Sequence, residues 1–277
     1  MKTRIITGII AIALFVPVCV FSDYIVFPIV ISILSAVGVY EMAKCLGMDK
    51  KWALTTPMYL VALALPLVRF FFIKQSHFFA IATIAIFFIL IYCLSYVMFR
   101  KNQDKIGDIL TFFALFFYIV GCFSSVVCVR YMGMGKYVYL LVFLGAWVCD
   151  TFAYFTGRFF GKHKLIPEIS PKKTIEGSIG GIVFTIGAFV LYRVLLFKIF
   201  PDLNLNLPYV LVIILAIAAS IVSQIGDLVA SAIKRQYDLK DYGKLFPGHG
   251  GVLDRFDSVM LVAPVIYVIF IASAVIM

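Results

Sequence analysis

The chain returns again and again to apolar runs long enough to cross a bilayer, and this repetition narrows its possible folds more than anything else in the sequence. A spanning helix needs about 20 apolar residues, because the hydrocarbon core is roughly 30 Å thick. Reading between the polar punctuation gives nine candidate spans, near 5–21, 25–43, 53–73, 78–99, 108–129, 137–157, 174–197, 208–233 and 253–276. The expected fold class is therefore all-α, a polytopic integral membrane protein with about nine transmembrane helices. Composition agrees. With 64% hydrophobic residues and 14% charged, and a mean hydropathy of +1.08, the chain has too few polar groups to cover a water-soluble surface of its size.

The first run resembles a signal peptide, with Lys2 and Arg4 ahead of an apolar stretch to Ser22. It is longer than a usual signal-peptide core and no A-x-A-like site follows, so a retained first helix is expected. The net charge of +10 raises the question of nucleic acid, but its distribution answers it. With the N-terminus inside, the inner loops collect Lys2, Arg4, Lys44, Lys50, Lys51, Arg100, Lys101, Lys105, Arg158, Lys162, Lys164, Lys172, Lys173, Lys234, Arg235, Lys240 and Lys244. The outer loops receive Lys74, Arg130, Lys136 and Lys198, while Arg69, Arg193 and Arg255 sit in or at helix ends. This asymmetry predicts an N-in, C-out topology, with the positive charge facing anionic lipid headgroups. No nucleic-acid partner is expected. The six cysteines lie in or beside apolar segments without a C-x-x-C pair, and read as small hydrophobes rather than a zinc site or disulfide framework.

Residues 1–130 read as a transmembrane scaffold, and 131–277 as the catalytic part of one integrated membrane domain. Glu41 is the one intramembrane acid of the scaffold, and Lys44 nearby suggests an ion pair at a helix end. No internal repeat is visible, which weakens an inverted-repeat transporter reading. From residue 145 onward, ionisable residues enter the spans themselves, where they are costly and tend to be functional.

Three clusters carry this polarity. In the first, Trp147, Asp150, Thr151, Tyr154 and Arg158 fall on one helical face, a stripe that also suits helix–helix adhesion. In the second, Ser170-Pro171 reads as an N-cap and first helical residue. Free helix N–H groups then lie beside Lys172, Lys173 and Thr174, an arrangement suited to phosphate. The third runs from Asp227 through Ser231, Lys234 and Arg235, across a loop containing Lys240 and His249-Gly250-Gly251, to Asp254, Arg255, Asp257 and Ser258. Asp227, Ser231 and Lys234 share one helical face, and Asp254, Asp257 and Ser258 share another. Such faces can converge across a helical hairpin, and a divalent cation would offset the cost of their carboxylates. All-oxygen ligands suit Mg²⁺. A lone histidine among glycines reads as a turn or substrate hydrogen bond.

The stretch S-A-I-K-R-Q-Y-D-L-K-D-Y-G-K-L-F-P-G-H-G-G-V-L-D-R-F-D, residues 231–257, resembles the signature of the phosphatidate cytidylyltransferases, or CDP-diacylglycerol synthases. Ser231, Lys234, Arg235, Lys240, Asp241, His249, Gly250, Gly251, Asp254, Arg255 and Asp257 fill its fixed positions. The S-P-K-K-T-x-E-G segment and the D-T-x-A-Y stripe are also similar to that family. The resemblance is dense from about 145 to 258; before that it rests on length and hydrophobic architecture. It implies an enzyme joining CTP and phosphatidic acid into CDP-diacylglycerol and pyrophosphate, with Mg²⁺ dependence and a homodimeric state.

The chemistry of the residues fits that expectation, since transfer between two phosphates rests on positioning and charge neutralisation. Asp227 and Asp254 are the expected metal ligands, with Asp257 and Asp150 as further candidates. Lys234, Arg235, Lys240 and Arg255 are expected to hold phosphates, and Ser170, Lys172, Lys173 and Thr174 to form a second phosphate site. A second metal or a monovalent cation stays open. Asp241 reads as ordering the basic loop, and Glu176 as pairing with Lys172, Arg158 or Arg255. Two rivals remain: another CTP-dependent lipid enzyme (a polyprenol kinase or isoprenoid-lipid cytidylyltransferase), and a cation transporter. The expected location is a bacterial plasma membrane, with the site facing the cytoplasm.

Overall fold

The structure, a computed structural model, describes residues 2–72, 75–99, 105–203 and 207–276. Lys74, Arg100 and Lys101, which entered the orientation argument, lie outside the described residues. In chain order the helices are α1 (Lys2–Val20), α2 (Val26–Cys45), α3 (Trp52–Phe71), α4 (Gln75–Phe99), α5 (Ile106–Arg130), the single turn α6 (Gly135–Val138) and α7 (Leu140–Phe160). Then come two short strands, β1 (Lys164–Ile166) and β2 (Ser170–Thr174), followed by α8 (Ile175–Ile199), α9 (Tyr209–Gln236) and α10 (Leu253–Ile276). A helix occupies each of the nine expected spans. Among the described residues, eight segments are long and apolar enough to cross a membrane, with α6 and α7 counted as one. The protein is thus an all-α polytopic membrane protein, 79% helical.

The chain forms two compact units: Met1–Tyr131 with Tyr237–Arg255, and Met132–Gln236 with Phe256–Met277. In the first, α2 and α3 pack on each other and on α5, and α4 lies against α3 and α5. Phe27, Leu54, Met58, Phe112, Phe116 and Phe123 fill the space between helices. Arginines tie one end of this unit. Arg130 donates to Ser22 Oγ at 3.0 Å and to Asp23 Oδ1 at 2.5 Å, and Arg69 donates to the Tyr131 carbonyl at 2.7 Å. Both arginines are buried, and their polar partners offset the cost of burying the charge.

The second unit is built around small residues. A Cβ on Gly177 would lie 2.6 Å from the Ala153 carbonyl oxygen, and one on Gly181 would lie 3.0 Å from Cys149 Sγ. Gly177 and Gly181 stand four apart on α8, the small-xxx-small spacing that lets two helix backbones approach closely. Beside this seam Phe152 and Phe184 stack with centroids 4.1 Å apart. On α7, a Cβ at Gly145 would meet Ala219 Cβ of α9 at 3.0 Å. Gly177→Val or Gly181→Leu should therefore cost about 1–3 kcal/mol by overpacking, read as a lower unfolding midpoint in detergent. Gly187, with nothing within 4 Å of its would-be Cβ, should accept alanine without loss.

Candidate active site

Three helices of the second unit each deliver an aspartate to one place: Asp150 from α7, Asp227 from α9 and Asp257 from α10. The three carboxylates lie within one another's electrostatic field, and Lys234 lies within that of Asp257. Gly226 permits the approach, since a Cβ there would sit 2.5 Å from the Asp257 carbonyl oxygen. Ser258 Oγ donates to Asp150 Oδ2 at 2.8 Å, and the Ser258 amide to Asp257 Oδ1 at 2.8 Å. The Lys173 ammonium lies 2.6 Å from Asp227 Oδ2 and donates to the Gln224 carbonyl at 3.4 Å. Ser231 Oγ donates to Asp227 Oδ1 at 3.5 Å.

Lys173 pairs with one carboxylate of this group, that of Asp227. Among the described residues, no three His, Cys, Asp or Glu side chains are already set in a metal-holding arrangement. The donor chemistry nevertheless fits a hard cation: every available ligand atom is oxygen, Asp257 is buried, and like charges crowd together.

The segment 237–255 in the first unit carries a second group of predicted residues, Lys240, His249, Gly250, Gly251, Asp254 and Arg255. Lys240, Lys244, Arg255, Asp241 and His249 line a cleft of about 630 Å³. A tight turn forms its floor, where the Phe246 amide donates to the Gly250 carbonyl at 2.9 Å and the His249 amide to the Phe246 carbonyl at 2.8 Å. Gly248 and Gly250 have positive φ, +77° and +86°, a conformation only glycine adopts without strain. Among the described residues, buried Nδ1 of His249 has no hydrogen-bond partner. Asp254 ties this loop from within: its Oδ2 accepts from the Tyr242 amide at 2.8 Å and from the Gly251 amide at 2.9 Å.

Several expectations need correction. Ser170 is not an N-cap. Ser170–Thr174 forms β2, paired antiparallel with β1 from Lys164↔Thr174 to Ile166↔Ser170. The helix starts at Ile175, and Thr174 is its cap, with Oγ1 accepting from the Gly177 amide at 3.1 Å. Ser-Pro and Thr-x-x-Gly both offer a helix start. The second wins because Thr174 holds the extended backbone of the strand (φ −127°, ψ 156°). Lys172 is consequently exposed on a hairpin, while Lys173 reaches Asp227. Glu176 pairs with His163, Nδ1 to Oε1 at 2.7 Å, rather than with Lys172 or Arg158. Glu41 does not act as an ion pair with Lys44; its two oxygens accept the Val252 and Leu253 amides, each at 2.9 Å. Arg235, at the end of α9, is exposed.

An acid cluster and a basic, glycine-turned cleft in a membrane protein suit phosphate chemistry, and the comparisons with known proteins define it further. Residues 2–273 match the cytidylyltransferase family. The chain belongs to that family. It is 36% identical to the phosphatidate cytidylyltransferase of Bacillus subtilis (strain 168), over 96% of each chain. It is 36% identical to that of Staphylococcus haemolyticus, over 98% of this chain and 99% of the relative. To that of Staphylococcus aureus (strain COL) it is 34% identical, over 99% of this chain and the whole of the relative. This cytidylyltransferase family member is accordingly a nucleotidyltransferase, as the motif in residues 231–257 implied.

Two features of this cytidylyltransferase escaped the sequence reading. One is the Lys173–Asp227 ion pair, which the positive charge of Lys173 allowed but did not assign. The other is Glu41, whose only sequence signal is that an acid inside an apolar span needs a partner. Asp254→Ala removes the acceptor of two buried amides, and each unpaired group costs about 1–3 kcal/mol. Faster hydrogen exchange at Tyr242 and Gly251, with a lower unfolding midpoint, is the expected result.

Proposed function

We propose that the enzyme is a phosphatidate cytidylyltransferase, converting CTP and phosphatidic acid into CDP-diacylglycerol and pyrophosphate. The observation that carries this reading is the meeting of Asp150, Asp227 and Asp257 with Lys173 in a member of a cytidylyltransferase family. The names of the Bacillus and Staphylococcus relatives supply the lipid substrate.

In the proposed reaction an oxygen of the phosphatidate headgroup attacks the α-phosphorus of CTP in line. A new P–O bond forms as the α–β phosphoanhydride bond breaks, and the electron pair leaves with pyrophosphate. Little covalent chemistry falls to the protein, so binding and charge placement carry the rate. Lys240 and Arg255 line the cleft and hold nucleotide phosphates; Lys234 and Arg235, at the end of α9, are proposed as phosphate-binding residues in their own unit. Lys172 offers its charge to the lipid phosphate from β2, the strand that Ser170 opens and Thr174 closes onto α8. Lys173 orients Asp227 through their ion pair, and Ser231 steadies the other oxygen of that carboxylate. His249 and Gly250 line the cleft where substrate would bind, while buried Gly251 holds the loop in place through its amide to Asp254.

Asp227, Asp257 and Asp150 are the residues proposed to hold Mg²⁺. When bound there, Mg²⁺ supplies positive charge to offset what builds on the transferring phosphates. Asp254, proposed from the sequence as a ligand alongside Asp227, has one oxygen already accepting two loop amides. The geometry therefore favours Asp257 and Asp150 as partners of Asp227. The proposal also places the enzyme in a bacterial plasma membrane as a homodimer, N-terminus in and C-terminus out. Lys172, Lys240 and Lys244 then face the cytoplasm, where CTP is found.

Purified enzyme in mixed micelles should release pyrophosphate only when CTP, phosphatidic acid and Mg²⁺ are all present, and EDTA should abolish the release. Asp227→Asn should lower turnover by about 100-fold, the scale of losing one charge-stabilising group at a phosphate centre. Release of CDP in place of pyrophosphate would convert the reading to a lipid kinase. Near-wild-type turnover of Asp227→Asn at saturating Mg²⁺ would remove Asp227 from the metal site.

A further inference from the structure

Glu41 lies far from the signature in sequence, yet it meets the start of that signature's helix. It belongs to the last two turns of α2 and is 4% exposed. Its Oε1 accepts from the Val252 amide and its Oε2 from the Leu253 amide, each at 2.9 Å. These are the amides of the residue just before α10 and of its first residue, at the end of the helix where N–H groups have no partner within it. A side chain normally caps its own helix from a position next to it. Here the cap comes from another helix, 211 residues away for Val252.

Two glycines show how tightly the contact is built. A Cβ on Gly243 or on Gly251 would overlap the Glu41 carboxylate, so glycine at both positions lets the loop close over it. The Gly251 amide in turn donates to Asp254 Oδ2, and the Tyr242 amide beside Gly243 donates to the same oxygen. Loop 242–253 is thereby fixed from two sides, by Glu41 from α2 and by Asp254 from α10. Arg255, at the next position of α10, lines the cleft with His249 and Lys240.

We infer that Glu41 is a positioning residue of the transferase: by capping α10 from α2, it sets the place of Arg255 and His249 for the nucleotide phosphates. This rests on the reading of the cleft as the CTP site. A carboxylate suits the task because it offers two acceptors to two diverging amides and favours the positive end of the helix dipole. Glutamine keeps the shape but presents an NH₂ to one of the two amides. Aspartate keeps the charge but is shorter by one methylene.

The test compares Glu41→Gln with wild type by steady-state kinetics and by hydrogen exchange. The expected result is a KM for CTP raised at least fivefold, a KM for phosphatidate within twofold of wild type, and faster exchange at Val252 and Leu253. A fall in kcat with both KM values unchanged would mean only a smaller folded fraction, and would overturn the inference. Unchanged exchange at those two amides would also overturn it. Should Glu41→Gln not fold, Glu41→Asp answers the same question, since partial retention of the cap predicts a smaller rise in the KM for CTP alone. The exchange result does not depend on activity. If wild type transfers no cytidylyl group, the function fails while the cap stands or falls on its own.

Discussion

In a place without water, a peptide N–H must find its acceptor inside the protein, and an unpaired one is costly. Helices solve this along their length, which is why apolar spans become α2 to α5 and α7 to α10. They do not solve it at their first turns. The start of α10 sits among buried residues, with Val252, Leu253 and Asp254 all nearly inaccessible. Its amides are met by Glu41, and those of the loop before it by Asp254. The glycines of the loop, the turn at His249 and the cleft lined by Lys240 and Arg255 all follow from that closure.

The remaining acids do a different job. Glu41 accepts one backbone amide on each oxygen, and Asp254 accepts two on Oδ2. Asp150, Asp227 and Asp257 crowd together with serines and Lys173 as their nearest polar neighbours. Repulsion among them disfavours the folded state, and a bound cation would relieve it.

What could be read from the sequence follows from the range of the forces involved. The spans were legible because hydropathy is summed over about 20 neighbouring residues. The aspartates were legible as helix faces, since Asp227 with Ser231, and Asp254 with Asp257 and Ser258, obey local periodicity. The β1–β2 hairpin was hidden, because three and five residues with several lysines carry no strand pattern. The helix start moved from Ser170 to Thr174 because two cap signals compete and the pairing with β1 decides. Glu41 was misread for want of range: Lys44 is three residues away, and its true partners lie more than two hundred residues along the chain.

That separation also orders events in time. A chain emerging at about 5–20 residues per second takes roughly 10–40 s to synthesise the 211 residues between Glu41 and Val252. Throughout that interval α2 is made but its acid has no amides to receive. The first compact unit is not complete until Tyr237–Arg255 has been added to it. Until residues 252 and 253 are made, the Glu41 carboxylate is without the two amides it accepts in the folded chain. The signature loop closes the older half of the molecule late in biosynthesis, so a chain truncated before it leaves that half unsealed.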